Sequence, residues 1–260
     1  AHAKIMGVLN VTPDSFSDGG IYLAANQAIA RIHEMITEGA DIIDIGAEST
    51  RPDSHAVPID EEMQRLRPVI EHIAHARLYE KVDFSIDTYK RDVAAYALDY
   101  GFRIVNDVTS LRGDPAMGDM LALRKPLIVL MYSKDTSAQT TRRLVEYKDV
   151  VGHIKNFLRE RIDLLTAKGF PHGNIIVDPG MGLFISLDSD YSFQVIDRLS
   201  EFKELGYPIM VGISRKTFLG ETLEYRDHAS VAWSREAICH GASIVRIHNV
   251  KMMHDVLHQT

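Results

Sequence analysis

Eight short apolar runs recur along the chain at nearly regular intervals: "KIMGVLN", "DIIDIGAEST", "VDFSIDT", "RIVNDV", "LIVLMYS", "IIVDPGM", "IMVGISR" and "SIVRIHNV". Each is too continuous for a strand wetted on one face, and the pattern fits parallel strands covered on both sides. Between most of them lie segments with helical spacing: "AANQAIARIHEMITEG", "DEEMQRLRPVIEHIAHA", "YKRDVAAYALDYG", "RRLVEYKDVVGHIKNFLRERIDLLTAKG" and "SFQVIDRLSEFKELG". Five helical segments run into a glycine shortly before the next strand, at Gly39, Gly101, Gly169, Gly206 and Gly241, where a left-handed residue would end the helix. No Pro/Gly/Ser-rich linker interrupts the series. Eight strand-helix units in 260 residues match a single α/β domain, residues 1–260, folded as a (β/α)8 TIM barrel. A doubly wound open sheet is the alternative.

The polar residues favour the barrel. In nearly every run the apolar stretch comes first and the polar residues follow at its C-terminal end: Asn10; Glu48, Thr50 and Arg51; Asp87; Asn106 and Asp107; Tyr132; Asp178; Arg215 and Lys216; Arg246 and His248. In a barrel these ends share one face and converge on one pocket. An open sheet would gather only those near its switch point.

Composition narrows the function. The formal charge of -7 is spread along the chain with no basic block that could track a phosphate backbone, so nucleic acid is not an expected partner. The single cysteine, Cys239 in "REAICHGA", excludes an internal disulfide framework and reads as a small core residue. No apolar run reaches the ~18 residues of a membrane span, and the N-terminal segment has no signal-peptide character, so a cytoplasmic enzyme is expected. The G-x-S-x-G elbow, H-E-x-x-H and the phosphate-binding G-x-x-x-x-G-K-[ST] loop are all missing.

The residues that remain divide into two chemistries. Asp87, Asn106 and Asp178 offer oriented acceptors and donors suited to the edge of a flat heterocycle with several N–H groups. Arg51, Lys216, Arg246 and His248 place positive charge on the same face, enough for a multiply charged anion. Simpler roles stay open for each. Asp87 could cap the following helix, Asp178 could make an Asx-turn, and Arg215 and Lys216 could be solvated. His248 could be a satisfied core histidine, and Asn10 could start the turn at "NVTPD".

Seven motifs in order carry a resemblance. "IMGVLNVTPDSFSDGG", "GADIIDIGAESTRP", "SIDTYK", "IVNDV", "VDPGMG", "VGISRKTFLG" and "GASIVRIHNV" together resemble the dihydropteroate synthase family, nearly end to end. The resemblance implies condensation of 6-hydroxymethyl-7,8-dihydropterin pyrophosphate with p-aminobenzoate, assisted by Mg2+, in a homodimer formed through outer helices of the C-terminal half. It places Asp87, Asn106, Asp178 and Lys216 on the pterin, with Asp87, Asp178, Lys216 and Arg246 as the catalytic set. Asn10 would touch the metal and the pyrophosphate, which Arg51, Arg246 and His248 would also hold. Thr50, Arg51, Pro52 and Thr217 would form the p-aminobenzoate site, under a loop carrying Asp14, Ser15 and Phe16.

Three places depart from the family's usual pattern. Met131-Tyr132-Ser133 replaces a common methionine-histidine pair, and Asn249 follows His248 where aspartate is usual. The loop after the sixth strand, "GLFISLDSDYS", is about two residues longer than usual and lacks a lysine. It is similar to the loop of a sulfonamide-insensitive branch, although "STRP" is kept. Leu183 or Phe184 is therefore expected to narrow the p-aminobenzoate site against a sulfonyl group. Two rival functions share the carboxylate and amide contacts: a pterin-dependent corrinoid methyltransferase and a non-catalytic pterin-binding homologue. The cations Lys216, Arg246 and His248 argue against both.

Overall fold

Parallel strands with branched side chains on both faces need cover on both sides, and helices between them supply it. In the computed structural model, which describes residues 3–12, 18–214, 216, 219–220 and 222–258, this cover is a ring. The strands are β1 (Lys4–Asn10), β2 (Ile42–Gly46), β3 (Asp83–Asp87), β4 (Ile104–Asp107), β5 (Leu127–Met131), β6 (Ile175–Asp178), β7 (Met210–Val211) and β8 (Ile244–Ile247). They pair in parallel in the order β6-β5-β4-β3-β2-β1-β8-β7. The two ends of that order meet, because Val177 bridges Ile209 and its amide donates to the Pro208 carbonyl at 3.0 Å. The sheet is therefore a nearly closed TIM barrel, and the open-sheet alternative is excluded.

The outer layer among the described residues comprises α1 (Asp18–Glu38), α2 (Ile59–His75), α3 (Arg91–Asp99), α4 (Met117–Arg124), α5 (Val150–Thr166), α6 (Asp190–Asp197), α7 (Leu223–Cys239) and α8 (Val250–His258). The five glycines expected to end helices all have positive φ, from 82° at Gly206 to 112° at Gly241. That conformation strains any residue with a Cβ.

Two expectations fail here. The helical spacing from Arg142 onward predicts a helix that starts there, yet α5 begins only at Val150. The intervening backbone is engaged elsewhere: the Arg143 carbonyl accepts from Leu187, and Val145 exchanges hydrogen bonds with Ser186 Oγ at 3.0 and 2.9 Å. Cys239 is exposed, not a core residue. The inward side of α7 is taken by Ser230, Ser234 and Ala237, spaced four and three apart, and Cys239 falls on the other side.

Inside the ring, Met6, Ile42, Ile104, Val129, Ile176, Met210 and Ile244 form an apolar cluster of their own, separate from the sheet-helix core. It plugs the barrel. Side chains two residues further along a strand share the same face, and from this plug they are Asp44, Asn106, Asp178 and Arg246 on four strands, with Val8, Met131 and Gly212 on the other three. The next layer towards the C-terminal ends thus carries the barrel's inward polar groups.

Candidate active site

This polar layer is ionic at its centre. Arg246 on β8 donates from Nε to Asp44 Oδ2 at 2.7 Å and from a terminal nitrogen to Asp87 Oδ2 at 2.8 Å. Asn106 Nδ2 donates to the same Asp44 oxygen at 3.0 Å. The register explains the convergence, since β3 pairs with both neighbours so that Asp87 lies beside Gly46 and beside Asn106. Gly46 keeps that wall low; an added Cβ would sit 3.1 Å from Asp87 Cβ. Asp44 Oδ1 and Asn106 Oδ1 are buried with no hydrogen-bond partner in the protein. Buried acceptors are normally paired, so these two suit a ligand's N–H groups.

Asp178 closes the layer on the opposite side. Its Oδ1 accepts the Gly180 amide at 2.8 Å, so the Asx-turn is real, and the carboxyl is nevertheless buried in the barrel. Asp87, in contrast, caps nothing. Helix α3 starts at Arg91, its N-cap Lys90 makes no side-chain cap, and Asp114 accepts the Arg91 amide at 2.9 Å. Asn106 and its neighbour Asp107 divide in the same way. Asn106 faces inward, while Asp107 turns outward to accept from the Thr109 and Leu111 amides, holding a loop in which Ser110 and Leu111 have positive φ.

Desolvation governs the acid-base character of this pocket. Burial, reinforced by the charge of Asp44 and opposed by Arg246, pushes the Asp87 carboxyl up to about 7. Burial raises Asp178 to about 6 against the opposing Gly180 amide, Lys216 and Arg246. Lys216 moves the other way: burial and the nearby Arg246 charge draw it down to about 8, with Asp178 opposing. Its ammonium lies 4.8 Å from the centre of the Phe184 ring, a cation-π contact.

The remaining sequence candidates occupy the rim or the loops. Asn10 is exposed at the end of β1; Thr50 and Pro52 are half-buried and Arg51 is exposed in the loop after β2. His248 is half-buried, with Nδ1 2.9 Å from Ser214 Oγ. Arg246, expected on the pyrophosphate and in the catalytic set, lies at the pocket floor between two carboxylates. Phe184 is buried against Val108, Met131 and Ala138. Phe16, Thr217, Asp14, Ser15 and Arg215 lie outside the described residues.

Sequence reasoning missed Asp44. The signal was there, a carboxylate in the middle of the all-apolar run "DIIDIG", where only an inward polar layer could tolerate it. Glu48, read as part of the polar end of the second strand, serves a different cluster. It pairs with the buried Lys90, which also meets Glu62.

The pterin binding enzyme family profile matches residues 6–248. The chain belongs to this family. It is 38% identical to the dihydropteroate synthase of Bacillus subtilis over 253 residues, covering 96% of this chain and 84% of that protein. It is 43% identical over 249 residues to a probable bifunctional folylpolyglutamate synthase/dihydropteroate synthase of Haloferax volcanii, covering 95% of this chain but only 29% of that longer protein. The fold superposes on Xanthomonas albilineans dihydropteroate synthase with 4-aminobenzoic acid at a TM-score of 0.88 and 36% identity, covering 98% and 91% of the two chains. Two of the three segments expected to depart from the family's pattern lie together in space. Tyr132 OH is 2.8 Å from Tyr147 OH, which donates to the Ile185 carbonyl at 2.7 Å, so the end of β5 supports the loop after β6. At the third, Asn249 Oδ1 accepts the Met252 amide at 3.1 Å and caps α8, a task aspartate would perform equally.

Proposed function

We propose that this protein is a dihydropteroate synthase, joining 6-hydroxymethyl-7,8-dihydropterin pyrophosphate to p-aminobenzoate and releasing pyrophosphate. The observation that carries this reading is the buried Asp44-Arg246-Asp87 bridge, with Asn106 on Asp44 and Asp178 facing Lys216, in a chain whose relatives of similar length are dihydropteroate synthases. Asp87 and Asp178 accept ring N–H groups, Asn106 offers its unpartnered oxygen, and Lys216 donates. The bond from the pterin methylene to the pyrophosphate oxygen breaks, the arylamine nitrogen bonds to that carbon, and the nitrogen loses a proton. In a largely SN1-like path the carbon becomes cationic before attack, and the two buried carboxylates stabilise charge developing on the ring.

Among the described residues, no group of three or more His, Cys, Asp or Glu side chains could ligate a metal. The exposed Asn10 amide fits the alternative, a Mg2+ that keeps its waters and arrives bound to the substrate's phosphates. When bound, that ion would neutralise charge on the departing pyrophosphate. In this reading Arg51 and His248 share this role. A homodimer and a cytoplasmic location belong to the same reading. Among the described residues no helix is long and apolar enough to cross a membrane.

The test is direct. Purified protein with both substrates and Mg2+ should yield dihydropteroate and pyrophosphate in equal amounts, and removal of Mg2+ by chelation should reduce the rate at least tenfold. Pyrophosphate release that p-aminobenzoate does not stimulate would contradict the reading, and no release at all would favour a binding protein.

The loop after β6 extends the proposal to inhibitors. Phe184 lies against Lys216, where a rigid ring restricts what can sit beside a bound pterin, and a steric mismatch of this type changes affinity about 10- to 200-fold. Deleting Phe184 should lower the inhibition constant of sulfamethoxazole at least tenfold. Equal and ordinary sensitivity in wild type and variant would refute the steric account.

A further inference from the structure

The connection from β5 to α5, residues 132–149, has no regular secondary structure, yet the polar side chains of its first half form a dense network. Irregular stretches of this length inside a compact domain usually do something specific. The Lys134 side chain is only 1% exposed. Its ammonium meets Asp135 Oδ2 at 2.7 Å, Thr140 Oγ1 at 3.1 Å, the Thr141 carbonyl at 2.7 Å and the Leu183 carbonyl at 2.6 Å. Asp135 also accepts the Thr141 amide at 2.9 Å. Burial alone would raise this carboxyl, but the hydrogen bonds from Lys134 and Thr141 hold it down at about 2, so Asp135 stays a carboxylate.

Thr140 reaches both sides. Its amide donates to the Thr50 carbonyl at 3.0 Å. Its hydroxyl hydrogen is shared between the Leu183 carbonyl at 2.8 Å and Asp135 at 3.1 Å. Gln139 beside it donates to Glu48 at 2.5 Å, and the Lys134 amide donates to the Phe184 carbonyl at 2.9 Å. One residue thus touches the main chain of the β2 loop and of the β6 loop, and a buried ion pair fixes that residue in place.

We propose that Lys134, Asp135 and Thr140 form a clasp that sets the distance between the β2 loop and the β6 loop, and so determines the fit of the second substrate, p-aminobenzoate. This rests on the proposed function, with the family resemblance putting Thr50, Arg51 and Pro52 at that substrate and Phe184 beside it. The clasp residues are positioning residues and touch no reacting atom. The pterin side is anchored separately, by Arg246 and the strands, so the effect of loosening the clasp is one-sided.

Steady-state kinetics of Thr140→Val, Thr140→Ser and Asp135→Asn test this. Valine keeps the shape and the amide contact to Thr50 but leaves the Leu183 carbonyl without its hydroxyl partner, whereas serine keeps that bond. Thr140→Val and Asp135→Asn should raise KM for p-aminobenzoate about 5- to 20-fold, leaving KM for the dihydropterin pyrophosphate and kcat within about twofold of wild type. Thr140→Ser should stay within about twofold on every constant. The clasp is refuted if Thr140→Val behaves like Thr140→Ser, or if both KM values and Tm change together as general destabilisation requires. A wild-type protein that makes no dihydropteroate overturns the proposed function and the clasp's substrate with it, whereas an active wild type with unchanged variants overturns the clasp alone.

Discussion

An Asp178→Asn variant is expected to lose at least 100-fold in kcat/KM and yet to melt higher than the wild type at pH 8. Both effects have one cause. The carboxyl is buried at the end of β6, and its folded-state value of about 6 lies above the ordinary 3.8. A group whose folded pKa is raised contributes stability while it is protonated, fully below the unfolded value, and that contribution is lost as pH climbs from about 4 through about 6. Above that window the folded protein carries an ionised carboxylate at a cost of about 1–3 kcal/mol. Asparagine keeps the oxygen that accepts the Gly180 amide and removes the charge. Tm should therefore rise by several degrees at pH 8, at about 2–4 °C per kcal/mol, and change little at pH 5.

The activity loss follows from the same charge. An ionised acceptor at a water-poor site stabilises positive charge on a reacting ring, and removing one such preorganised group costs about 100- to 1000-fold. In the wild type, kcat/KM for the pterin substrate should fall on the acid side as Asp178 and Asp87 protonate, near 6 to 7. It should fall on the alkaline side as Lys216 loses its proton near 8. Calorimetric melts and initial rates at pH 5 and pH 8 decide the matter. A variant that melts lower at pH 8 would show that the Asp178 charge is structural.

The barrel was legible because its evidence is repetitive. Eight apolar runs, each ending in polar residues, leave few arrangements, and the glycines at helix ends mark the same boundaries independently. Asp87, Asn106 and Asp178 were legible for the same reason, since they occupy equivalent places at strand ends. Asp44 was not, because it lies two residues earlier, inside a run whose composition otherwise says core. Only the register, which puts it level with Arg246 and Asn106, gives it a role. The β5 connection was misread because periodicity reports what a segment could do in isolation. Residues 142–149 have helical spacing, but their backbone groups are taken by Ser186, Leu187 and Tyr191, contacts distant in sequence that no local pattern encodes.

The guanidinium of Arg246 offers the second large effect, and here stability and chemistry can be separated. Arg246→Met removes the only cation that hydrogen-bonds Asp44 and Asp87 among the described residues, leaving two carboxylates facing each other in a buried layer. Breaking a buried pair by deleting one partner costs about 3–5 kcal/mol, because the survivor is left charged and desolvated. The single variant should melt roughly 10 °C lower than wild type. Adding Asp44→Asn removes one of the stranded charges while keeping an amide beside Asn106, and the double variant should recover at least half of the loss, a coupling that a thermodynamic cycle measures. Neither variant should regain activity, since the pocket still lacks the charge that orders Asp87. If the two substitutions were additive in stability, the bridge would be a coincidence of placement; if the double variant also regained turnover, Arg246 would serve only to neutralise Asp44.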